Sequence, residues 1–168
     1  MAETPKETPE PLEEQESVRS ALERAAEAKP DRRFAISLIV TGGAPSQRYR
    51  FEFVARGTGT LAARLSAEPS DRERADERLE SSELAALARD VLASGVLDTP
   101  AEPPRLLPDT LVGILDITSG EARFRRYFAA DREQADVQDA LPPPGLTKAA
   151  DAIYALGAKR MGKRSVKP

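Results

Sequence analysis

Phe34-Ala35-Ile36-Ser37-Leu38-Ile39-Val40-Thr41, followed after a Gly42-Gly43 break by Tyr49-Arg50-Phe51-Glu52-Phe53, decides the fold of this 168-residue chain. In the first run Phe34, Ile36, Leu38 and Val40 share one side of an extended backbone, and β-branched and aromatic residues favour that pleated conformation. Gly42-Gly43-Ala44-Pro45-Ser46 interrupts the run with residues that tolerate positive φ and one that cannot donate a ladder hydrogen bond, which suits a hairpin loop. In the second run aromatic side chains alternate with Arg50 and Glu52, so the pattern predicts a sheet covered on one face only. Gly57-Thr58-Gly59 marks the next turn, and Leu61, Ala63 and Leu65 alternate through a third strand.

The cover for the aromatic face lies further along. Leu84, Leu87, Ala88, Val91 and Leu92 recur at helical spacing before Gly95, with Ser81 and Ser82 offering an N-cap, and predict a helix over 82–94. Between the meander and this helix, 68–80 is nearly all charge of alternating sign and reads as a solvated loop or exposed helical turn. Pro100, Pro103, Pro104 and Pro108 then prohibit helix and make a stiff crossover. A second hairpin follows, in which Leu111, Gly113, Leu115 and Ile117 alternate with Val112, Ile114, Asp116 and Thr118. After the Ser119-Gly120 turn, Phe124 and Phe128 alternate with Arg123, Arg125 and Tyr127. Asp131 reads as an N-cap, Leu141-Pro142-Pro143-Pro144-Gly145 resets the chain, and a last helix over 147–161 presents Ala149, Ala150, Ile153, Tyr154, Leu156 and Gly157. The expected class is α+β: an antiparallel sheet of about five strands in the order βββ-α-ββ-α, two helices packed on one face, and disordered charged tails.

Composition divides the chain into a tail over 1–31, a single domain over 32–162 and a tail over 163–168. The first tail is acidic, with Glu3, Glu7, Glu10, Glu13, Glu14 and Glu16 against Lys6. Its prolines and acids over 1–11 cannot bury enough apolar surface to offset ordering. Over 12–28, Val18, Leu22, Ala25 and Ala26 form a narrow stripe compatible with a short helix, marginal unless docked. The opposite end is basic, with Lys159, Arg160, Lys163, Arg164 and Lys167 free of acids. No basic-then-apolar leader and no bilayer-length apolar run are visible, so the expectation is a soluble cytoplasmic chain without a membrane partner.

The order of elements, Gly42-Gly43 after the first strand, and Pro108-Asp109 opening the later strand pair resemble the emfourin type of small bacterial inhibitor domain over roughly residues 34–159. The resemblance implies binding and inhibition of thermolysin-like metalloproteases; it carries no inhibitory residue onto this chain.

The sequence holds not one histidine or cysteine, which removes imidazole and thiolate chemistry together with zinc sites of those ligands. Among carboxylates, Asp109, Asp116 and Asp131 fall at strand or turn ends where hydrogen-bonding and capping roles account for them. Gly57-Thr58-Gly59-Thr60 lacks the Lys and following helix of a phosphate loop, and the Asp/Asn run of a calcium loop is missing. No enzyme, cofactor or metal is therefore expected. The candidate partner-binding residues are Arg123, Arg125, Arg126 and Tyr127, which interleave cations with an aromatic, and the basic end Lys159, Arg160, Lys163 and Arg164. These features favour a non-enzymatic protein-binding or regulatory module acting through exposed sheet, loops and charged tails, its partner another protein. The alternative is a structural or assembly adaptor docking on a larger complex through its terminal segments. Nucleic-acid binding through an Arg-rich sheet face, with Arg48, Arg50 and Arg56 extending it, is less favoured, because the net charge is -3 and ordinary cross-strand ion pairing explains the same arginines.

Overall fold

The computed structural model describes residues 11–67 and 71–168; the segment 1–10 and the residues 68–70 lie outside the described residues, and with them the disorder expected for the start of the chain. Six strands form one antiparallel sheet in the order β4-β3-β2-β1-β5-β6. They are β1 (Ala35–Gly42), β2 (Tyr49–Arg56), β3 (Thr60–Ala67), β4 (Asp71–Arg78), β5 (Val112–Ser119) and β6 (Ala122–Ala129). The α+β class and the helix-covered antiparallel sheet are as the alternation predicts.

Register puts Ile36, Leu38 and Val40 opposite Ala55, Phe53 and Phe51 on β2, and opposite Ile117, Leu115 and Gly113 on β5. Phe51 and Ile36 are fully buried there, and Phe53 is 2% exposed. A fully buried Phe, Leu or Ile contributes about 1.5–3 kcal/mol relative to exposure, so this face supplies most of the driving force. Gly42 and Gly43 adopt φ of 139° and 94°, backbone that only glycine takes without strain, and so turn the chain from β1 toward β2.

Three long helices roof the same face. α1 (Pro11–Ala26) lies against β5 and β6, α2 (Ser81–Ala93) runs beside it, and α4 (Pro144–Arg160) flanks α2 on its other side. α4 reaches the sheet at Gly157, where a Cβ would sit 2.9 Å from the Phe51 ring, and the Tyr154 and Phe51 rings pack at 5.4 Å between centroids. A short α3 (Arg132–Val137) is capped by Asp131, whose carboxylate accepts from the Glu133 and Gln134 amides at 2.9 and 3.3 Å.

Several expectations are corrected. The charged run reserved for a loop pairs as the edge strand β4, register Ala75 opposite Ala63, with Ala75 buried under the helices. Charges flank that one inward alanine because an exposed edge needs them to resist pairing with another chain. The stripe at 18–25 is not a solvated tail: Val18, Ala21, Leu22 and Ala25 are all 0% exposed in the common core. At the other end Val166 is 2% exposed, so the basic segment is pinned to the domain. Glu80 rather than a serine occupies the N-cap of α2, and its amide donates to the Glu83 carboxylate at 3.4 Å.

Candidate functional site

The face turned away from the helices is built by the other parity of each strand. Cross-strand register sets Arg74, Arg64, Glu52, Ile39, Ile114 and Tyr127 in one row, and Asp76, Ala62, Val54, Ser37, Asp116 and Arg125 in the next. A third row runs Arg78, Thr60, Arg56, Ala35, Thr118 and Arg123. Arginine therefore outnumbers carboxylate on this face in a chain whose net charge is -3.

Most of these cations are matched locally. Arg123 Nε donates to Asp116 at 2.9 Å and Arg125 Nη2 at 2.6 Å, Arg50 holds Glu52, and Arg74 holds Asp76. Arg56 and Arg64 differ: both are exposed and neither has an ion-pair partner among the described residues. They border a shallow depression of about 250 Å³ floored by Ile39, Val54 and Ala62. Cations over aliphatic side chains, without an aromatic platform on the central strands, form a surface suited to an acidic chain carrying apolar residues.

Asp116 is the electrostatic anchor of β5 and β6. Burial, the largest single influence, pushes its pKa up, but the hydrogen bonds and charges of Arg125 and Arg123 together outweigh it, and the carboxyl sits below its usual range. A depressed folded-state pKa adds stability above the unfolded value of about 4 and loses it as pH falls through the lower folded value. Asp116→Asn is expected to flatten that acid limb in urea melts below about pH 5, and to cost about 1–2 kcal/mol at neutral pH. The figure is held down by screening, since the Arg123 and Arg125 side chains are 51% and 37% exposed. An unaltered acid limb in the variant contradicts the assignment.

The eight candidates from sequence do not form one site. Arg123, Arg125 and Tyr127 lie on the open face. Arg126 points the other way: its guanidinium stacks over Phe124 at 4.0 Å and donates to the Thr99 carbonyl at 2.8 Å, which ties the proline-rich crossover to β6. Arg160 bonds Glu77 at 2.8 Å and also Glu83, while Lys159 sits 3.6 Å from Glu83. These contacts lock the end of α4 to α2 and β4. Lys163 is engaged within the chain, and Arg164 is exposed beyond it. Arg56 and Arg64 were missed as a pair because they belong to different strands; the parity of β2 and β3 was the signal that could have joined them.

The other two carboxylates singled out in the sequence have local structural roles. Asp131 caps α3, Asp109 holds a turn at φ 65°, and no group of three metal-ligating side chains occurs among the described residues. No described helix is long and apolar enough to cross a membrane. No protein-family model matches this chain, and no curated protein matches it in sequence.

Proposed function

We propose that this chain is a non-enzymatic protein-binding module whose open sheet face takes an acidic, partly apolar segment of another protein. The observation that carries the reading is the unmatched pair Arg56 and Arg64 over the depression floored by Ile39, Val54 and Ala62. Acidic side chains complete the ion pairs that this face lacks, and aliphatic ones fill its floor. Nucleic acid fits less well. Single-strand binders stack bases on aromatic residues of central strands, whereas on this face Tyr127 stands on the outer strand β6 and the central strands carry no aromatic side chain among the described residues. The adaptor alternative depends on terminal segments, yet α1 and Val166 are spent on this chain's own core, so the weight shifts to the sheet.

The test is a fluorescence-anisotropy titration with a labelled peptide alternating Glu and Leu, alongside an oligothymidylate of equal length. The expected result is saturable peptide binding that weakens with added salt and by at least about tenfold, 1.4 kcal/mol, in the Arg56→Glu/Arg64→Glu variant. Equal peptide affinity in that variant, or preference for the oligonucleotide, overturns the reading. The inhibitor version implied by the emfourin resemblance has its own readout. Titrating a thermolysin-like protease with the chain is expected to abolish its activity, and undiminished activity removes that version alone.

A further inference from the structure

On the helix side of the sheet a groove of about 400 Å³ opens between the end of β6 and the first turns of α4. That volume lies within the range of small-molecule sites. Its walls are largely apolar, with Phe128, Leu141, Pro142 and Ala150, and its rim carries Arg132, Lys148 and Lys167 against the single acid Asp151. Lys167 is tethered to Asp151 at 2.9 Å, while Arg132 and Lys148 have no ion-pair partner among the described residues.

A second observation points to a ligand. Tyr154, which lines this groove, is 5% exposed, and its hydroxyl, itself buried, has no hydrogen-bond partner among the described residues. Buried hydroxyls are almost always paired, because leaving one unmade is costly. Burial pushes the Tyr154 pKa upward, which keeps the hydroxyl protonated as a donor at any physiological pH. Across the groove the C-terminal segment is held by the Tyr49 hydroxyl donating to the Val166 carbonyl, and by Lys167 on Asp151.

We propose that this groove is a binding site for a small amphipathic carboxylate. Its alkyl chain lies against Phe128 and Leu141, and its head accepts from the Tyr154 hydroxyl among Lys148 and Lys167. The ligand supplies the acceptor that Tyr154 lacks and competes with Asp151 for Lys167. The few donors and apolar walls select a carboxylate with a hydrocarbon body over a bare inorganic anion.

The experiment is an amide-resolved NMR titration of the full chain with sodium decanoate, with decanol and inorganic phosphate as comparisons. Saturable shifts confined to β6, α4 and the Val166 segment are expected with decanoate, weaker binding with decanol, and none at this site with phosphate. Tyr154→Phe is expected to lower decanoate affinity about tenfold, the loss of one hydrogen bond to a charged group. The same variant keeps or raises the melting temperature of the free chain, since its hydroxyl makes no bond to lose. Lys148→Glu weakens decanoate to a similar degree, and the Arg56→Glu/Arg64→Glu variant titrates like the parent, which separates this site from the sheet face. Absence of saturable shifts, parental affinity in both groove variants, or decanol binding as tightly as decanoate overturns the proposal.

Discussion

Replacing Leu22 by Asp is expected to leave the chain unfolded at ambient temperature, read as loss of the cooperative urea transition. Leu22 is 0% exposed in α1, among Val18, Ala21 and Ala25, where the helix meets β5, β6 and α2. An unpaired carboxylate placed there loses the apolar transfer energy and adds the cost of burying charge, a sum comparable with the whole 5–15 kcal/mol that stabilises an ordinary domain. The milder Leu22→Ala keeps the idea measurable if the first variant does not express. It is expected to cost about 2–5 kcal/mol, a fall of roughly 5–15 °C in melting temperature for a chain of this size. Leu12, in the same helix and 69% exposed, serves as control, and its alanine variant should stay within about 0.5 kcal/mol of the parent. Polar contacts fix how α1 sits: Arg19 bonds Asp98 at 2.9 Å, and Arg89 donates to the Ala26 carbonyl at 2.9 Å. If Leu22→Ala and Leu12→Ala melt together, α1 is a passenger and the core ends at the sheet and the two later helices.

The contrast between α1 and the sheet shows what one-dimensional pattern can carry. Alternation in 34–41 and 49–53 is a strong signal because each strand has one buried face, and a slip of one residue would invert every side chain. Residues 18–26 hold an equally real stripe, but small alanines make it narrow, and whether such a helix docks depends on a surface contributed by β5 and β6, a hundred residues later. β4 hid for the opposite reason: an edge strand needs only one inward apolar residue, Ala75, and charge elsewhere. Grouping Arg126 with Arg123 and Arg125 followed adjacency in sequence, whereas strand parity already separates them, since 126 falls on the side of Phe124 and Phe128. The Arg56 and Arg64 pair was recoverable by the same parity once β2 and β3 were placed side by side. The groove was not recoverable, because it is assembled from β6, the proline-rich stretch before α4, α4 itself and Lys167, and no local pattern links them.

A single glycine joins the packing of the sheet to the shape of that groove. Gly113 on β5 lies opposite Phe128 on β6, and the Phe128 ring covers it so closely that a Cβ would fall 2.2 Å from Cζ and 2.4 Å from Cε1. Phe128 is 4% exposed and lines the groove beside α4, so a side chain at 113 must drive the ring out of its seat. Gly113→Val is therefore expected to destabilise by about 3 kcal/mol, combining overpacking with lost burial of an aromatic ring, and to weaken decanoate because the displaced ring occupies the place of the alkyl chain. Valine itself suits a strand better than glycine, so the loss cannot be charged to backbone preference. The Gly113→Val/Phe128→Ala double variant removes the clash, and its cost in urea melts is expected to fall short of the sum of the two single costs by about 1–3 kcal/mol. Strict additivity in that cycle would mean that the ring and the glycine do not meet, and that Phe128 is held in place by something other than the bare backbone of β5.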